Sequence, residues 1–527
     1  MDLHIVSTNP YVQAILQANG IHSAEEYYEF DPPTPTPLKN LYNVKKAAQV
    51  IKKAAKQKQK ILIYGDYDAD GVLSSYVLFY TLTQRLGYAN VEVYLPNRFK
   101  EGYGLTKAAV KKVLEKKPGL LILTDTGISF GEEVKLLRSK GIRVVIVDHH
   151  TAPSTLPEAD ALAYPLHPRS QITHPHMSAT LVAYRLAEQL NNLTPITQLL
   201  DLVALSLITD IIPLKGDARY YLKAGLKKLA TNPHPKLKNL IQTQDYQNID
   251  TFLLGNIIGP KFNAPGRIQS AFTAFEYLTS QDPQQTQTLT QQLLDLNSQR
   301  QNLTQEYLNT PAAQQIELSK LVILVFEDAP EGIIGLIASS ISQSKQKPTL
   351  VITKTQEGTY KGSGRAPANF NLIKFLREYE QFFLNLGGHK QAAGFSISED
   401  QLKALLHTLQ QNPPDFANYA TTAQEPVIKV SNTSQLLQLM QALEFLAPFG
   451  EGFLMPQVEL VTELTGVTNR KGHNFLTTST PNIKIVQWSS TTLPPYGKVK
   501  LRGKPRLSLF NGNIELLFSV KQILPVD

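Results

Sequence analysis

Three short apolar runs end in acids or histidines. ILIYGDYDADG places Asp66, Asp68 and Asp70, LLILTDTG places Asp125, and VVIVDHH places Asp148, His149 and His150. One Asp at such a point is commonly a helix cap, its carboxylate accepting from free backbone N–H groups. Five acids and two histidines brought to one edge of one sheet would repel each other unless cations neutralised them. A further acid, Asp210, lies inside the apolar run LVALSLITDIIPL, where an unpaired charge costs several kcal/mol of desolvation in order of magnitude. It either caps the turn before Pro213 or joins the same cations.

The chain has no cysteine, which excludes disulfides, thiol nucleophiles and Cys-ligated zinc or iron–sulfur sites. Carboxylates with one or two neutral imidazoles suit Mn²⁺ or Mg²⁺, and a shared Asp can bridge two such ions. A pair of ions makes hydroxide available at neutral pH and stabilises charge building on a phosphoryl group, so no covalent nucleophile is required. DYDADG also has the acid spacing that opens a calcium loop. That reading fails, because the twelfth position from Asp66 is Val77 instead of a bidentate Glu, and the string follows an apolar strand.

Positioning these groups together requires a parallel sheet. From Lys60 the chain alternates apolar runs with helical stretches: KILIYGD then VLSSYVLFYTLTQRLG, VEVYLP then LTKAAVKKVLEKK, GLLILTD then FGEEVKLLRSKG, and finally IRVVIVDHH. Strands covered on both faces read as near-continuous Ile, Leu and Val, and ligands gather beyond their carboxyl ends. A parallel-sheet α/β domain is therefore expected over 46–225. Residues 1–45, ending in the proline-rich DPPTPTPLKN, read as a small cap and stiff linker without visible chemistry, and the Lys/Ala helix after them reads as a solvated face. A helical connector over 226–315 ends in a long Gln-rich amphipathic helix. A second α/β domain is expected over 316–415. The stretch 425–527 reads as an OB-like β-barrel whose last hairpin turns at Asn511-Gly512.

At 527 residues, 42% hydrophobic and 18% charged, the chain suits several folded domains and neither disorder nor a fibrous repeat. The excess of 52 Lys+Arg over 44 Asp+Glu, net +8, allows a polyanionic partner without proving one. The N-terminus lacks a basic segment followed by an apolar one, and the longest apolar run is too short to span a bilayer, so a cytoplasmic protein without membrane contact is expected.

The strings YGDYDADG, TDTG, VDHH and LITDIIPL, in that order, resemble the four motifs of the DHH phosphoesterase superfamily. GPKFNAPGR, GSGR, GGHKQAAG and LAPFGEG, again in order, resemble the RecJ family of bacterial single-strand-specific 5′-to-3′ exonucleases. Together these strings cover about residues 45 to 460. The resemblance implies two Mn²⁺ or Mg²⁺ ions held by Asp68, Asp70, Asp125, His149 and Asp210, with Asp66, Asp148 and His150 close behind them or facing the phosphate. The choice between the adjacent histidines stays open. It implies substrate contacts from Arg98, Asn263, Arg267, Ser363, Gly364, Arg365, Gly388 and His389. GSGR and GGH, read as glycine-rich turns, would bring backbone N–H groups to phosphate oxygens while Arg365 forks onto a 5′-phosphate. The barrel would track single-stranded DNA, although Trp488 and the Phe residues serve equally well as its core.

Two departures bear on the substrate side. Lys261-Phe262-Asn263 stands where the family usually has Arg-Ile-Asn, and Glu331 stands where His is expected. The resemblance implies mononucleotide release in DNA repair and recombination by a monomer supplied by a helicase and a single-strand-binding protein. The alternatives are a DHH phosphodiesterase acting on short oligonucleotides or cyclic dinucleotides, and a non-catalytic nucleic-acid-binding relative.

Overall fold

A computed structural model describes residues 9–102, 104–241, 249–318, 320–355, 357–412, 415–419, 426–470, 472–480, 483–488, 494, 496–510 and 513–526. They form two compact units. One comprises the described residues of Met1–Leu95, Gly104–Gly259 and Glu425–Asp527; the other comprises those of Pro96–Tyr103 and Pro260–Gln424.

The first unit carries the expected parallel sheet. Strands β1 (Ile61–Tyr64), β2 (Val91–Tyr94), β3 (Leu120–Thr124), β4 (Arg143–Val147) and β5 (Ala161–Ala163) are arranged β2-β1-β3-β4-β5. Every pair is parallel. β1 and β3 are buried along their whole length, as their unbroken Ile/Leu runs require. The short β5 is too brief to show a periodicity in the sequence. The helix Ala69–Tyr80 follows β1 and packs on the helices Ala179–Leu190 and Leu200–Thr209.

The same unit contains the barrel. β13 (Gln457–Arg470), β14 (His473–Thr478), β15 (Lys484–Gln487), β17 (Asn513–Pro525) and β16 (Gly497–Phe510) pair in that order, and β13 pairs again with β16 to close the ring. Closure removes the open edges that a five-stranded sheet would otherwise expose. β12 (Val427–Val430) adds to β13 in parallel. The turn expected at Asn511-Gly512 lies outside the described residues, but the flanking strands pair from Phe510 opposite Asn513 onward. Phe518 belongs to the core, whereas Trp488 is exposed and donates its indole N–H to Ser519 Oγ at 3.2 Å. The N-terminal helices Pro10–Ala18 and Ala24–Phe30 feed Val12, Ile15, Tyr27 and Phe30 into the core that holds Val458, Leu460 and Phe518 of the barrel.

The second unit contains the long helix Pro283–Asn309 and a six-stranded sheet ordered β10-β11-β9-β8-β7-β6. These strands are β6 (Gln314–Leu318), β7 (Leu321–Phe326), β8 (Thr349–Lys354), β9 (Tyr360–Arg365), β10 (Asn385–Gly388) and β11 (Ala392–Ile397). Only β7 and β8 run parallel within it. Among the described residues no helix is long and apolar enough to cross a membrane.

Candidate metal centre and phosphate-facing residues

Strand order alone gathers the acids. With β1, β3 and β4 adjacent and Tyr64 level with Leu123, the segments leaving their carboxyl ends emerge side by side. Asp66 lies in the turn after β1. Asp68 caps the helix Ala69–Tyr80, accepting from Gly71 N–H at 3.0 Å, and Asp70 lies in its first turn. Gly71 is required here, since a Cβ would stand 2.5 Å from the Asp66 carbonyl oxygen. Asp125 follows β3 with φ +59°, and Asp148, His149 and His150 follow β4. Asp210 arrives from a different direction, as the C-cap of the helix Leu200–Thr209. It is both the turn residue and a member of the cluster.

Three overlapping groups of ligand atoms result. Asp66, Asp68 and Asp125 form one, Asp70, His149 and Asp210 a second, and Asp125, Asp148, His149 and His150 a third, with all atoms of a group within 4.8 Å of one another. His149 Nε2 is the hub, 3.2 Å from Asp125, 3.5 Å from Asp210 and 3.8 Å from Asp70. His150 is turned differently, its Nδ1 2.8 Å from Asp148 Oδ1. The two histidines, equivalent in the sequence, thus have distinct places.

Asp148 is fully buried and accepts from the N–H groups of Ile128 at 3.0 Å, His149 at 2.7 Å and His150 at 3.2 Å, besides the His150 ring. Burial would raise its pKa, but the His150 hydrogen bond and the two histidine charges outweigh it and bring it to about 2. Burial likewise opposes protonation of His150, and Asp148 overrides it to reach about 9. This carboxylate fixes the ring of His150 and the backbone carrying both histidines.

Asp70 rests on the N-terminus of the helix Ala179–Leu190. It accepts from Ala179 N–H at 2.7 Å, Thr180 N–H at 2.9 Å and Thr180 Oγ1 at 2.5 Å. Thr180 was missed from the sequence. Its signal was present in M-S-A-T-L, since Ser178 caps that helix by accepting from Leu181 N–H. Even so, burial and then the Asp68 charge raise Asp70 to about 6. Burial, followed by Asp70, Asp68, Asp66 and Asp210, holds Asp125 well above the usual carboxylate range. Asp210 is raised by burial and by Asp70 and Asp68, against the opposing charge of His150. Buried oxygen donors with one imidazole and mutual repulsion are what a pair of hard divalent cations would neutralise, so the donor set fits Mn²⁺ or Mg²⁺.

An acid whose folded pKa lies above its unfolded value stabilises the fold below the unfolded pKa and loses that contribution as pH rises through the folded one. In EDTA the protein is therefore expected to melt at a lower temperature at pH 8 than at pH 5.5, the share due to Asp70 being lost by the time pH has passed about 6 and that due to Asp125 and Asp210 adding to it. Saturating Mn²⁺ should remove the difference. Thermal unfolding at both pH values, with and without the ion, measures this; a metal-free Tm that rises with pH contradicts it.

The second unit holds the other expected residues. GSGR is not a turn. It is the end of β9, paired with β8 on one side and β11 on the other, so its amides are committed to a sheet and the expected cradle of backbone N–H groups does not form there. Its glycines serve packing instead: a Cβ on Gly362 would stand 2.0 Å from the Phe395 ring, and one on Gly364 2.8 Å from Leu372. Ser363 and Arg365 share one face of β9, and Arg365 Nη1 donates to Ser363 Oγ at 3.1 Å and to Gly364 O at 2.7 Å. Gly335 of the helix Glu331–Lys345 leaves room for them, because a Cβ there would lie 3.0 Å from Arg365 Nη2 and from Ser363 Oγ.

Burial first, and then the Arg98 charge, lowers the Arg365 pKa, so the two cations feel each other. Arg98 opens the short helix Arg98–Glu101 capped by Asn97, and Arg267 Nη1 donates to Gly332 O at 3.1 Å on the same helix that carries Gly335. Asn263 is half-buried on the helix Gly259–Ile268, whose Phe262 is fully buried, so that departure is filled by packing. GGH is also not a free turn: β10 and β11 form a hairpin in which Gly388 has φ +149°. Exposed His389 donates its N–H to the carbonyl oxygen of Ala392, the residue that pairs with Arg365 across the ladder. Glu331 forms an ion pair of 2.8 Å with Lys361, two residues along β9 from Ser363.

Comparison with known proteins follows the same division. Residues 60–207 match the DHH family N-terminal domain and residues 318–412 match the DHHA1 domain. The single-stranded-DNA-specific exonuclease RecJ of Bacillus subtilis is 32% identical over 481 residues, covering 88% of this chain and 59% of that protein. The chain thus spans about three fifths of that relative's length. RecJ of Haemophilus influenzae is 27% identical over 582 residues, covering 99% of this chain and 97% of its own. Among solved structures, RecJ from Thermus thermophilus in complex with Mn²⁺ superposes with a TM-score of 0.84 at 25% identity, covering 98% of this chain and 76% of that one. An exonuclease RecJ bound to manganese gives a TM-score of 0.61 at 29% identity over 73% of this chain and 98% of that one. A DHH domain followed by a DHHA1 domain, relatives aligned along nearly the whole chain and a shared three-dimensional framework lead to one assignment: the chain belongs to the RecJ family within the DHH phosphoesterases.

Proposed function

We propose that this chain is a metal-dependent exonuclease that hydrolyses single-stranded DNA from its 5′ end and releases mononucleotides. The observation that carries the proposal is the set of overlapping ligand groups joined by Asp125 and His149 at one sheet edge. The relatives support it: those from Bacillus subtilis and Haemophilus influenzae are named single-stranded-DNA-specific exonucleases, and two solved RecJ structures contain manganese. Asp66, Asp68 and Asp125 would hold one ion, and Asp70, His149 and Asp210 the other.

When bound, the two ions supply Lewis acidity to a water and to the phosphoryl oxygens. The protein does the rest. Thr180 and the two N–H groups of its helix fix Asp70, while Asp148, 2.8 Å from His150 Nδ1, orients that ring toward a leaving or non-bridging oxygen. Arg365, set by Ser363 and Gly364, is the fork for a terminal phosphate, with Arg98 and Arg267 as further cations. Asn263, Gly388 and His389 complete the substrate side. We further infer that the protein acts in DNA repair and recombination in the cytoplasm, as a monomer downstream of a helicase and beside a single-strand-binding protein.

The test is nucleotide release from strands labelled at either end, single- or double-stranded, over a series of lengths with Mn²⁺. Mononucleotides appearing first from the 5′ end of long single strands are expected. Equal rates on duplex, preference for dinucleotides, or no release would remove the proposal.

A further inference from the structure

Asp210 reaches the metal centre from a helix end, and the residue after it is strained. Ile211 has φ +54°, a region that β-branched residues rarely adopt, and it is 67% exposed, so burial of its side chain does not offset the strain. Such a conformation persists only where the surroundings over-determine it. The helix end itself closes in this form, Ile212 N–H donating to Leu207 O at 3.0 Å, and a second constraint arrives from far downstream in the chain.

Leu214, fully buried, donates its N–H to Glu451 O at 2.8 Å. A Cβ on Gly450 would lie 2.7 Å from Leu214 Cδ1, and one on Gly452, itself at φ +70°, would lie 3.1 Å from Pro213 Cβ. The loop that contains these glycines therefore presses directly on the segment leaving Asp210. That loop is in turn held by Arg219, which has no exposed surface. Arg219 Nη1 donates to Pro448 O at 2.7 Å and Nη2 to Leu446 O at 2.5 Å, while Nε pairs with Asp31 at 3.3 Å. The guanidinium lies 4.6 Å from the Phe30 ring centre and 4.9 Å from that of Phe453. Close to Arg219 in the chain, Gly216 donates its N–H to Phe30 O at 2.8 Å, fixing the far end of the same segment.

We propose that Arg219 is a positioning residue for Asp210. It fixes the loop from Leu446 to Phe453, the loop fixes Pro213 and Leu214, and these set where the Asp210 carboxylate points. The LAPFGEG string thereby acts on the metal centre, and the module containing the barrel is part of the frame of that centre. The inference rests on the reading that Asp210 holds an ion.

Mn²⁺ affinity, measured by calorimetry without DNA, tests it in the whole chain. The variants are Arg219→Met, which keeps the aliphatic packing between the two rings, Gly450→Val, which pushes on Leu214, Asp210→Asn, and each of the first two combined with Asp210→Asn. Arg219→Met and Gly450→Val are each expected to weaken Mn²⁺ binding by roughly 10- to 100-fold, the usual effect of disturbing a group that orients a ligand. In the Asp210→Asn background neither should cause further weakening, because the carboxylate they act through is gone. Wild-type affinity in both folded variants, or the same fold-loss with and without the Asp210 carboxylate, overturns the proposal. Should Arg219→Met fail to fold by circular dichroism, Gly450→Val carries the test alone. No Mn²⁺ binding by the wild-type chain would instead remove the functional reading and this inference with it.

Discussion

Asp125→Ala is expected to lower Mn²⁺-dependent hydrolysis by about three orders of magnitude or more, the several kcal/mol that a metal ion contributes to a phosphoryl transition state. Of the acids in the centre it has the most to lose, because it belongs to two of the three ligand groups and approaches His149 within 3.2 Å. Its carboxylate is buried against four other acids, so its loss should leave the metal-free fold at least as stable as before. The two effects therefore separate. Single-turnover rates should collapse while the melting temperature in EDTA holds or rises, and DNA binding should change little because the cationic residues are untouched. Turnover within tenfold of wild type would refute the role assigned to Asp125.

Arg365→Ala should raise KM for a 5′-phosphorylated strand by roughly 10- to 100-fold, the range for a charge-assisted hydrogen bond lost from a desolvated site. The guanidinium is already oriented before substrate arrives: Nη1 is engaged by Ser363 and Gly364, and Nη2 lies beside Gly335, where no side chain intervenes. A preset fork loses little entropy on binding. Arg365→Lys should rescue little of the loss, since an ammonium cannot offer two parallel donors. A strand with a 5′-hydroxyl provides the control, because there wild type and variant should converge. A similar defect on both ends would mean that Arg365 serves the sheet instead of the phosphate.

Much of the metal centre was legible because of one property of parallel sheets. Strands buried on both faces announce themselves as unbroken apolar runs, and an acid at the end of each is then placed without reference to the rest of the chain. Asp210 was legible for a different reason, as a charge in a run too apolar to tolerate it. Glycine was harder to read. GSGR and GGH suggested turns because glycine permits unusual backbone angles, yet at 362 and 364 the operative property is the missing Cβ in the path of Phe395 and Leu372. A sequence does not distinguish these two uses of the residue. The support of Asp70 by Thr180 and the pairing of Glu331 with Lys361 were hidden for a simpler reason: each joins elements 30 or more residues apart, with no local pattern to reveal it.

The first compact unit is interrupted: the chain leaves it after Gly259 and returns at Glu425. Ribosomes make proteins from the N-terminus, so the acidic edge is synthesised well before the loop at 446–453 that presses on Leu214. During that interval Val12, Ile15 and Phe30 lack the barrel residues they pack with in the finished molecule. A polypeptide cut short by an early stop codon would carry every metal-binding motif and still lack the closing loop. The order of translation thus withholds this loop from the acidic edge until the ribosome has passed the whole of the intervening unit.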